Sequence, residues 1–174
     1  MTDHVEPGPV LRTAVAADLP ELRRVYRAAS LSNVDDAPLL LARPEFLVFA
    51  GDGISAGRTL VAVSGDDTGD HLVGFASVVA APDGELELED LFVDPDQHRR
   101  GIARRLLGRV ADTARENGYR RLWVTGNPHA LDFYRAVGFV PTGEVATALK
   151  PAPRLVLELT GDGGGPTHPP RPAV

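Results

Sequence analysis

The run DPDQHRRGIARRLL, Asp94 to Leu107, closes one apolar stretch and opens a helical one. It puts four arginines, Arg99, Arg100, Arg104 and Arg105, at the mouth of that helix. A helix start exposes backbone N–H groups without partners and carries partial positive charge, so it ordinarily attracts acidic residues. Arginines there are locally unfavourable unless an anion joins them. A phosphate accepts from the free N–H groups, the helix dipole favours its charge, and arginines add charge-assisted hydrogen bonds. Gly101 gives the backbone room to approach, and Ala103 is nearly as small. The competing reading is a solvated basic helix end, and composition alone divides evenly between the two. Neither a GxxxxGK[ST] phosphate loop nor a GxGxxG dinucleotide turn is present.

A second constellation, NPHALDFYRAVGF, spans Asn127 to Phe139. Asn127 reads as a helix cap with Pro128 at the first helical position. Tyr134 follows on that helix. A phenol with a reference pKa of about 10 keeps its proton at neutral pH and can donate to a thiolate. Taken alone, Tyr134 reads as a half-buried helix aromatic. Upstream, ELELED offers carboxylates that can accept a proton, directly or through water. Alternation puts Glu85, Glu87 and Glu89 on one strand face and Leu86, Leu88 and Asp90 on the other, and a bulge would shift that register. The competing reading is a charged, solvated strand face. The five histidines, His4, His71, His98, His129 and His168, show no metal spacing, and there is no cysteine. That removes thiolate metal sites and a cysteine acyl-enzyme.

Positioning these groups requires a set of strands and helices. Val10 to Val15 alternates as a short strand, and Asp18 caps a helix over Leu19 to Ala29. Residues 31 to 47 read as a short helix or an ordered loop. Arg58 to Ser64 and His71 to Ala80 are strands joined by the turn-rich GDDTGD. Asp83-Gly84 is a hairpin signal leading to a strand over Glu85 to Val93. Ile102, Leu106, Leu107, Val110, Ala111 and Ala114 form a helical stripe, stopped by Asn117-Gly118. Arg121 to Thr125 is a strand, the Asn127 helix runs to Gly138, and Arg154 to Thr160 is a last strand. The order predicts an α/β sandwich on a mixed sheet.

The chain has 174 residues, 43% of them apolar, which fits one domain over residues 10–160. Residues 1–9 and the Gly- and Pro-rich 161–174 are expected to be disordered. The formal net charge of -6 and the lack of a basic, aromatic-studded face argue against nucleic acid. No signal peptide or membrane-length apolar run occurs, so the expectation is a soluble, cytoplasmic protein with no membrane partner. The basic residues are nearly all arginine, with a single lysine, Lys150, in the manner of a GC-rich bacterial genome.

Together, His98-Arg99-Arg100-Gly101-Ile102-Ala103 and the Asn127–Phe139 run resemble the Gcn5-related N-acetyltransferase (GNAT) superfamily. Its patterns are [QR]-x-x-G-x-[GA] and N-x-x-A-x-x-F-Y-x-x-x-G-F. The second matches at Asn127, Ala130, Phe133, Tyr134, Gly138 and Phe139, and the first departs at His98. The resemblance covers roughly residues 10 to 160. It implies a mixed, mostly antiparallel central sheet flanked by helices, with splayed central strands. It implies acetyl-CoA as cosubstrate, with the pyrophosphate on the backbone of Arg99, Arg100, Gly101, Ile102 and Ala103, and with Arg104 and Arg105 as contacts if they point toward it. Leu91, Phe92 and Val93 would pair with the pantetheine arm, and an N–H near Phe92 or Val93 would polarise the thioester carbonyl. Tyr134 would be the general acid and Asn127 a further CoA contact; Glu87 lies where some members carry their base, Glu89 and Asp90 are nearer the cleft if a bulge shifts the register, and many members use none. The partner is an amine acceptor of unidentified class, selected by residues 30 to 47 and 141 to 153. Direct transfer in a ternary complex, no metal, and the homodimer common in the family complete the expectation. A non-catalytic acyl-CoA sensor on the same fold is the alternative, and the presence of Tyr134 favours the enzyme.

Overall fold

The computed structural model describes residues 8–160. The segments expected to be disordered therefore lie outside the described residues, apart from Gly8 and Pro9. Seven strands form one sheet in the order β1-β2-β3-β4-β5-β7-β6. They are β1 (Val10–Thr13), β2 (Thr59–Asp66), β3 (Gly69–Ala81), β4 (Glu85–Val93), β5 (Arg121–Thr125), β6 (Val140–Val145) and β7 (Ala152–Glu158). The helices are α1 (Leu19–Leu31), α2 (Ala37–Leu41), α3 (Asp52–Ser55), α4 (Ile102–Glu116) and α5 (Leu131–Ala136). The pairs β1–β2, β5–β7 and β6–β7 are antiparallel and β4–β5 is parallel. A parallel neighbour needs a long crossover, and α4 supplies it. The mixed, mostly antiparallel sheet flanked by helices is the architecture expected.

The β4–β5 ladder runs through Leu86↔Leu122, Glu87↔Trp123 and Leu88↔Val124. Strand β4 continues beyond that ladder to Val93. Its residues past Leu88 therefore lie beyond the register it shares with β5.

The chain divides into two compact units. One holds the residues up to Phe75 together with Phe92–Leu106; the other holds Ala76–Leu91 and the residues from Leu107 onward. The core of the first joins Leu22 and Val25 of α1 to Val61, Leu72 and Phe75 of the sheet. Its aromatic centre is Tyr26, Phe49, Phe75 and Phe92, with Tyr26 and Phe92 edge-on at 4.8 Å. In the second unit Leu107, Val110, Ala111 and Ala114 of α4 are buried, as are Leu122, Val124 and Leu155. The α4 residues are those the helical stripe singles out.

Two local features, at Asp18 and at β6, differ from expectation, and the open reading of residues 31 to 47 resolves into a short helix. Asp18 precedes α1, but its side chain makes no cap bond to that helix. It turns back to accept from the Val15 N–H at 2.8 Å and from Arg12 at 2.7 and 2.9 Å, closing a short 3₁₀ turn. Residues 31 to 47 resolve into α2 and a 3₁₀ turn, Pro44–Leu47. Strand β6 lies in a stretch expected to be loop. Pro141 and Gly143 weaken any strand signal, and as the outermost strand it is exposed along its whole length.

Candidate functional site

In the first unit, β4 hands over to α4 through a turn built on Asp94. The Asp94 carboxylate accepts from the Asp96 N–H at 3.0 Å, and its own N–H donates to the Val73 carbonyl at 2.8 Å. Pro95–Gln97 forms one 3₁₀ turn. Arg24 of α1 then reaches in: Nη1 lies 2.7 Å from Asp94 Oδ2, and Nη2 donates to the Leu72 carbonyl at 2.9 Å. Burial works against the Asp94 charge, but Arg24 and the Asp96 N–H outweigh it and hold the carboxyl below its ordinary value. Neither residue stands out in the sequence, where they are 70 positions apart.

Past Asp94 the backbone alternates in hand. Arg99 has φ 65° and Gly101 φ 71°, both left-handed, with Arg100 between them and α4 following. Alternation of this kind turns successive N–H groups toward one point and makes an anion-binding concavity. The Arg105 N–H donates to the Gly101 carbonyl at 3.0 Å, so Gly101 opens the helix and the first-turn N–H groups have no intrahelical partner. An added Cβ on Gly101 would meet nothing within 4 Å. Glycine is needed there for its φ, not for protein clearance. Arg99, Arg100, Arg104 and Arg105 are exposed, and no ion pair holds any of them among the described residues. Ile102 is buried and anchors the helix start.

Gly74 of β3 fixes how close that anchor comes. A Cβ there would lie 3.0 Å from the Phe92 carbonyl oxygen and 3.1 Å from Ile102 Cγ2. A glycine inside a strand is a signal of such an approach, and His71–Ala80 carried it unread. Leu91, Phe92 and Val93 are half-buried. The Phe92 ring is engaged with Tyr26 and Phe75, so what it can offer a ligand is backbone. Beside the turn opens a cleft of about 600 Å³, lined by Arg24, Asp94, Gln97 and Arg100 with Asp66 and His71. Of the residues expected to hold pyrophosphate, only Arg100 lines it.

In the second unit, Asn127 caps its helix as expected, accepting from the His129 N–H at 2.9 Å with Pro128 at the first position. A 3₁₀ turn, Pro128–Ala130, leads into α5. Tyr134 is 6% exposed, with Phe133 and Phe139 edge-on at 5.3 Å. Burial pushes its phenol up to about 12. Gly126 leaves space for the ring: a Cβ there would come within 3.2 Å of it.

The β4 carboxylates are not a solvated row. Glu85 is buried and accepts from Trp123 Nε1 and from Arg121 at 3.2 Å. Glu87 takes both terminal nitrogens of Arg154, at 2.5 and 3.3 Å, and Arg154 also donates to Thr125 and lies over the Trp123 ring. Glu89 is exposed. Asp90 accepts from the buried Ser77 hydroxyl. Among the described residues no group of three His, Cys, Asp or Glu could hold a metal ion, and no helix is long and apolar enough to cross a membrane.

Comparison with known proteins places these features in company. Residues 20–139 match the model of the Acetyltransferase (GNAT) family. Streptothricin acetyltransferase of Streptomyces lavendulae is 41% identical over 115 residues, 58% of this chain and 59% of that protein. The N-alpha-acetyltransferase RimI of Mycobacterium tuberculosis is 42% identical over 83 residues, 45% of this chain and 52% of that protein. The matches thus span little more than half of those two relatives' lengths. Among solved structures, a phosphinothricin acetyltransferase of Sinorhizobium meliloti in complex with AcCoA superposes with a TM-score of 0.68 at 21% identity, covering 96% of this chain and 97% of that one.

Proposed function

This chain belongs to the GNAT acetyltransferase family, and we propose that it moves an acetyl group from acetyl-CoA directly to a primary amine within a ternary complex. The observation that carries the proposal is the turn into α4, where left-handed Arg99 and Gly101 precede unpaired helical N–H groups among exposed arginines. Such a backbone favours an anion, which supports the reading of a diphosphate there. In this reading Arg99, Arg100, Gly101, Ile102 and Ala103 receive the pyrophosphate, with Arg104 beside them. The backbone of Leu91, Phe92 and Val93 pairs with pantetheine, and Asn127 adds a CoA contact.

The amine nitrogen attacks the thioester carbon, the C–N bond forms, and the C–S bond breaks with its electron pair going to sulfur. The amine must lose a proton and the sulfur must gain a donor. Tyr134, with its phenol pushed up to about 12, is fully protonated at neutral pH and is the proposed acid. Glu87 and Glu89 are the carboxylates the sequence puts forward as base, and Arg154 engages Glu87. The names of the relatives suggest a small-molecule amine such as streptothricin or a protein α-amine as acceptor. The same reading has the protein work in the cytoplasm, as a homodimer, without metal, nucleic acid or membrane.

The test is titration calorimetry with acetyl-CoA and with free CoA. Micromolar binding that weakens at least about tenfold in Gly101→Val is expected, since a β-branched residue resists that φ. No binding at millimolar acetyl-CoA overturns the proposal. A thiol-release assay then follows with streptothricin, phosphinothricin and a peptide bearing a free α-amine.

A further inference from the structure

Lys150 is the single lysine in a chain whose other cationic side chains, histidine apart, are all arginine. A surface charge or an ion pair is served by arginine as well or better. What lysine adds is a primary amine, which can shed its proton and take an acyl group. A guanidinium stays charged and does neither. Ordinary charge roles therefore give no reason for a lysine at this one place, and its surroundings supply one.

The β6–β7 hairpin carries it. Val145 of β6 pairs with Ala152 of β7, and Lys150 stands on the turn between them. The Thr147 hydroxyl knots that turn. It donates to the Lys150 carbonyl at 2.6 Å and accepts from the Leu149 and Lys150 N–H groups at 3.3 and 3.2 Å. Three residues on, the Pro153 carbonyl accepts from the Gly126 N–H at 2.9 Å. Gly126 is the residue whose added Cβ would come within 3.2 Å of the Tyr134 ring, and Thr125 pairs with Arg154 beside that bond. One end of the second unit thus gathers the hairpin with Lys150, the end of β5 and the helix with Tyr134. Three residues span at most about 10 Å of chain, and a half-buried lysine on a four-carbon stem works within that range.

We propose that Lys150 is acetylated by its own chain, an acceptor built into the hairpin beside the acid. The inference rests on the acetyltransferase reading, in which Tyr134 protonates the departing sulfur. The Lys150 ammonium gives one proton to water. Its neutral Nζ attacks the thioester carbon, the C–N bond forms, and the C–S bond breaks with its electron pair on sulfur. Tyr134 donates to that sulfur, the new amide nitrogen sheds its surplus proton to solvent, and the phenol recovers one from solvent. The net products are Nζ-acetyl-lysine, the CoA thiol and one proton. A cation becomes a neutral amide, so the event removes one positive charge from the hairpin.

The experiment incubates the full chain with acetyl-CoA and no added amine, maps acetyl groups by peptide mass spectrometry, and counts released thiol. Lys150 should gain an acetyl group, with a thiol burst equal to the number of chains. The rate per chain should not change with protein concentration, because donor site and acceptor share one chain. It should exceed the rate in a chain unfolded in guanidinium chloride at least about tenfold. The chain's α-amine is the internal reference. Such amines ordinarily lose their protons at lower pH than lysines do, so uncatalysed acetylation favours the α-amine and the reaction proposed favours Lys150. Lys150→Arg keeps the charge and should abolish the burst. An unmodified Lys150 in a chain that acetylates the amine panel, a faster α-amine, or equal rates in folded and unfolded chains overturns the assignment. A rate that climbs with protein concentration moves the acetyl group between copies and overturns transfer within one chain. A chain that binds acetyl-CoA yet acetylates neither Lys150 nor any panel amine fails the transferase reading itself, and this assignment with it.

Discussion

Arg24 Nη1 stands 2.7 Å from Asp94 Oδ2, tying the first helix to the turn that opens α4. The same guanidinium donates to the Leu72 carbonyl, and the same carboxylate holds the Asp96 N–H. Three segments far apart in sequence thus converge behind the left-handed run at Arg99 and Gly101. The arrangement makes Asp94 the keystone of the turn and Arg24 its brace.

Asp94→Ala should cost about 1–2 kcal/mol, the range for a lost side-chain cap, and should weaken acetyl-CoA binding by loosening the turn. Arg24→Ala should cost less, about 1 kcal/mol or below, because its side chain is 44% exposed and solvent screens the pair. The Asp94 pKa is depressed, so its contribution is present above the ordinary carboxylate value and is lost as pH falls through the lower folded value. Melts of Asp94→Asn and wild type should differ above the ordinary carboxylate value of about 4 and draw together as pH falls below it. Parallel curves across that window would refute the role of the charge.

Gly74 is the second support of the site. Gly74→Val should cost about 1–3 kcal/mol as an overpacking change. An added Cβ would crowd the Phe92 carbonyl oxygen at 3.0 Å, and a backbone atom there cannot swing aside. Chemical denaturation measures the loss. Because Ile102 and Leu106 of α4 are the other neighbours, acetyl-CoA affinity should fall as well. A variant that loses stability but binds acetyl-CoA as wild type would show that the helix start tolerates the displacement.

Legibility followed the range of the interactions. The α4 stripe, the Asp83-Gly84 turn with its left-handed pair at φ 62° and 70°, and the Asn127 cap are local patterns, readable because their physics is complete within a few residues. Asp18 misled because Ser, Asp and Asn at helix starts have several backbone partners within reach, and Arg12 decided among them. The Glu85 and Glu87 network was invisible because Arg121 and Arg154 lie 36 and 67 positions away. Two left-handed residues around Arg100 were half legible: Gly101 announces one, but nothing in an arginine announces φ 65° at Arg99. Alternation puts Glu89 and Asp90 on opposite strand faces, but the hydrogen bond from Ser77 to Asp90 spans two strands and is not readable locally.

Arg154 should prove irreplaceable by lysine. It grips Glu87 with two nitrogens, donates to Thr125 Oγ1 at 3.0 Å, and lies 5.1 Å from the Trp123 ring centre. A guanidinium fork satisfies all three at once, whereas an ammonium is a compact point charge. Arg154→Ala should cost about 2 kcal/mol as a partly buried charge network loses its centre. Arg154→Lys should recover less than half of that. Full recovery in urea melts would reduce the residue to its charge.

Tyr134→Phe separates the hydroxyl from the ring. The ring keeps its edge-on partners, so stability at pH 7 should change by less than about 1 kcal/mol. Turnover should fall about 100-fold or more if the phenol donates to the leaving sulfur, with acetyl-CoA affinity retained. The phenol adds a second signature. Its folded pKa of about 12 exceeds the ordinary phenol value of 10.0, so wild-type stability is fully present below pH 10 and declines as pH rises toward 12. Tyr134→Phe removes that decline, and the two proteins should diverge in alkaline melts over the same interval. Equal turnover in wild type and Tyr134→Phe would take the acid role away from this residue and leave the ring as packing.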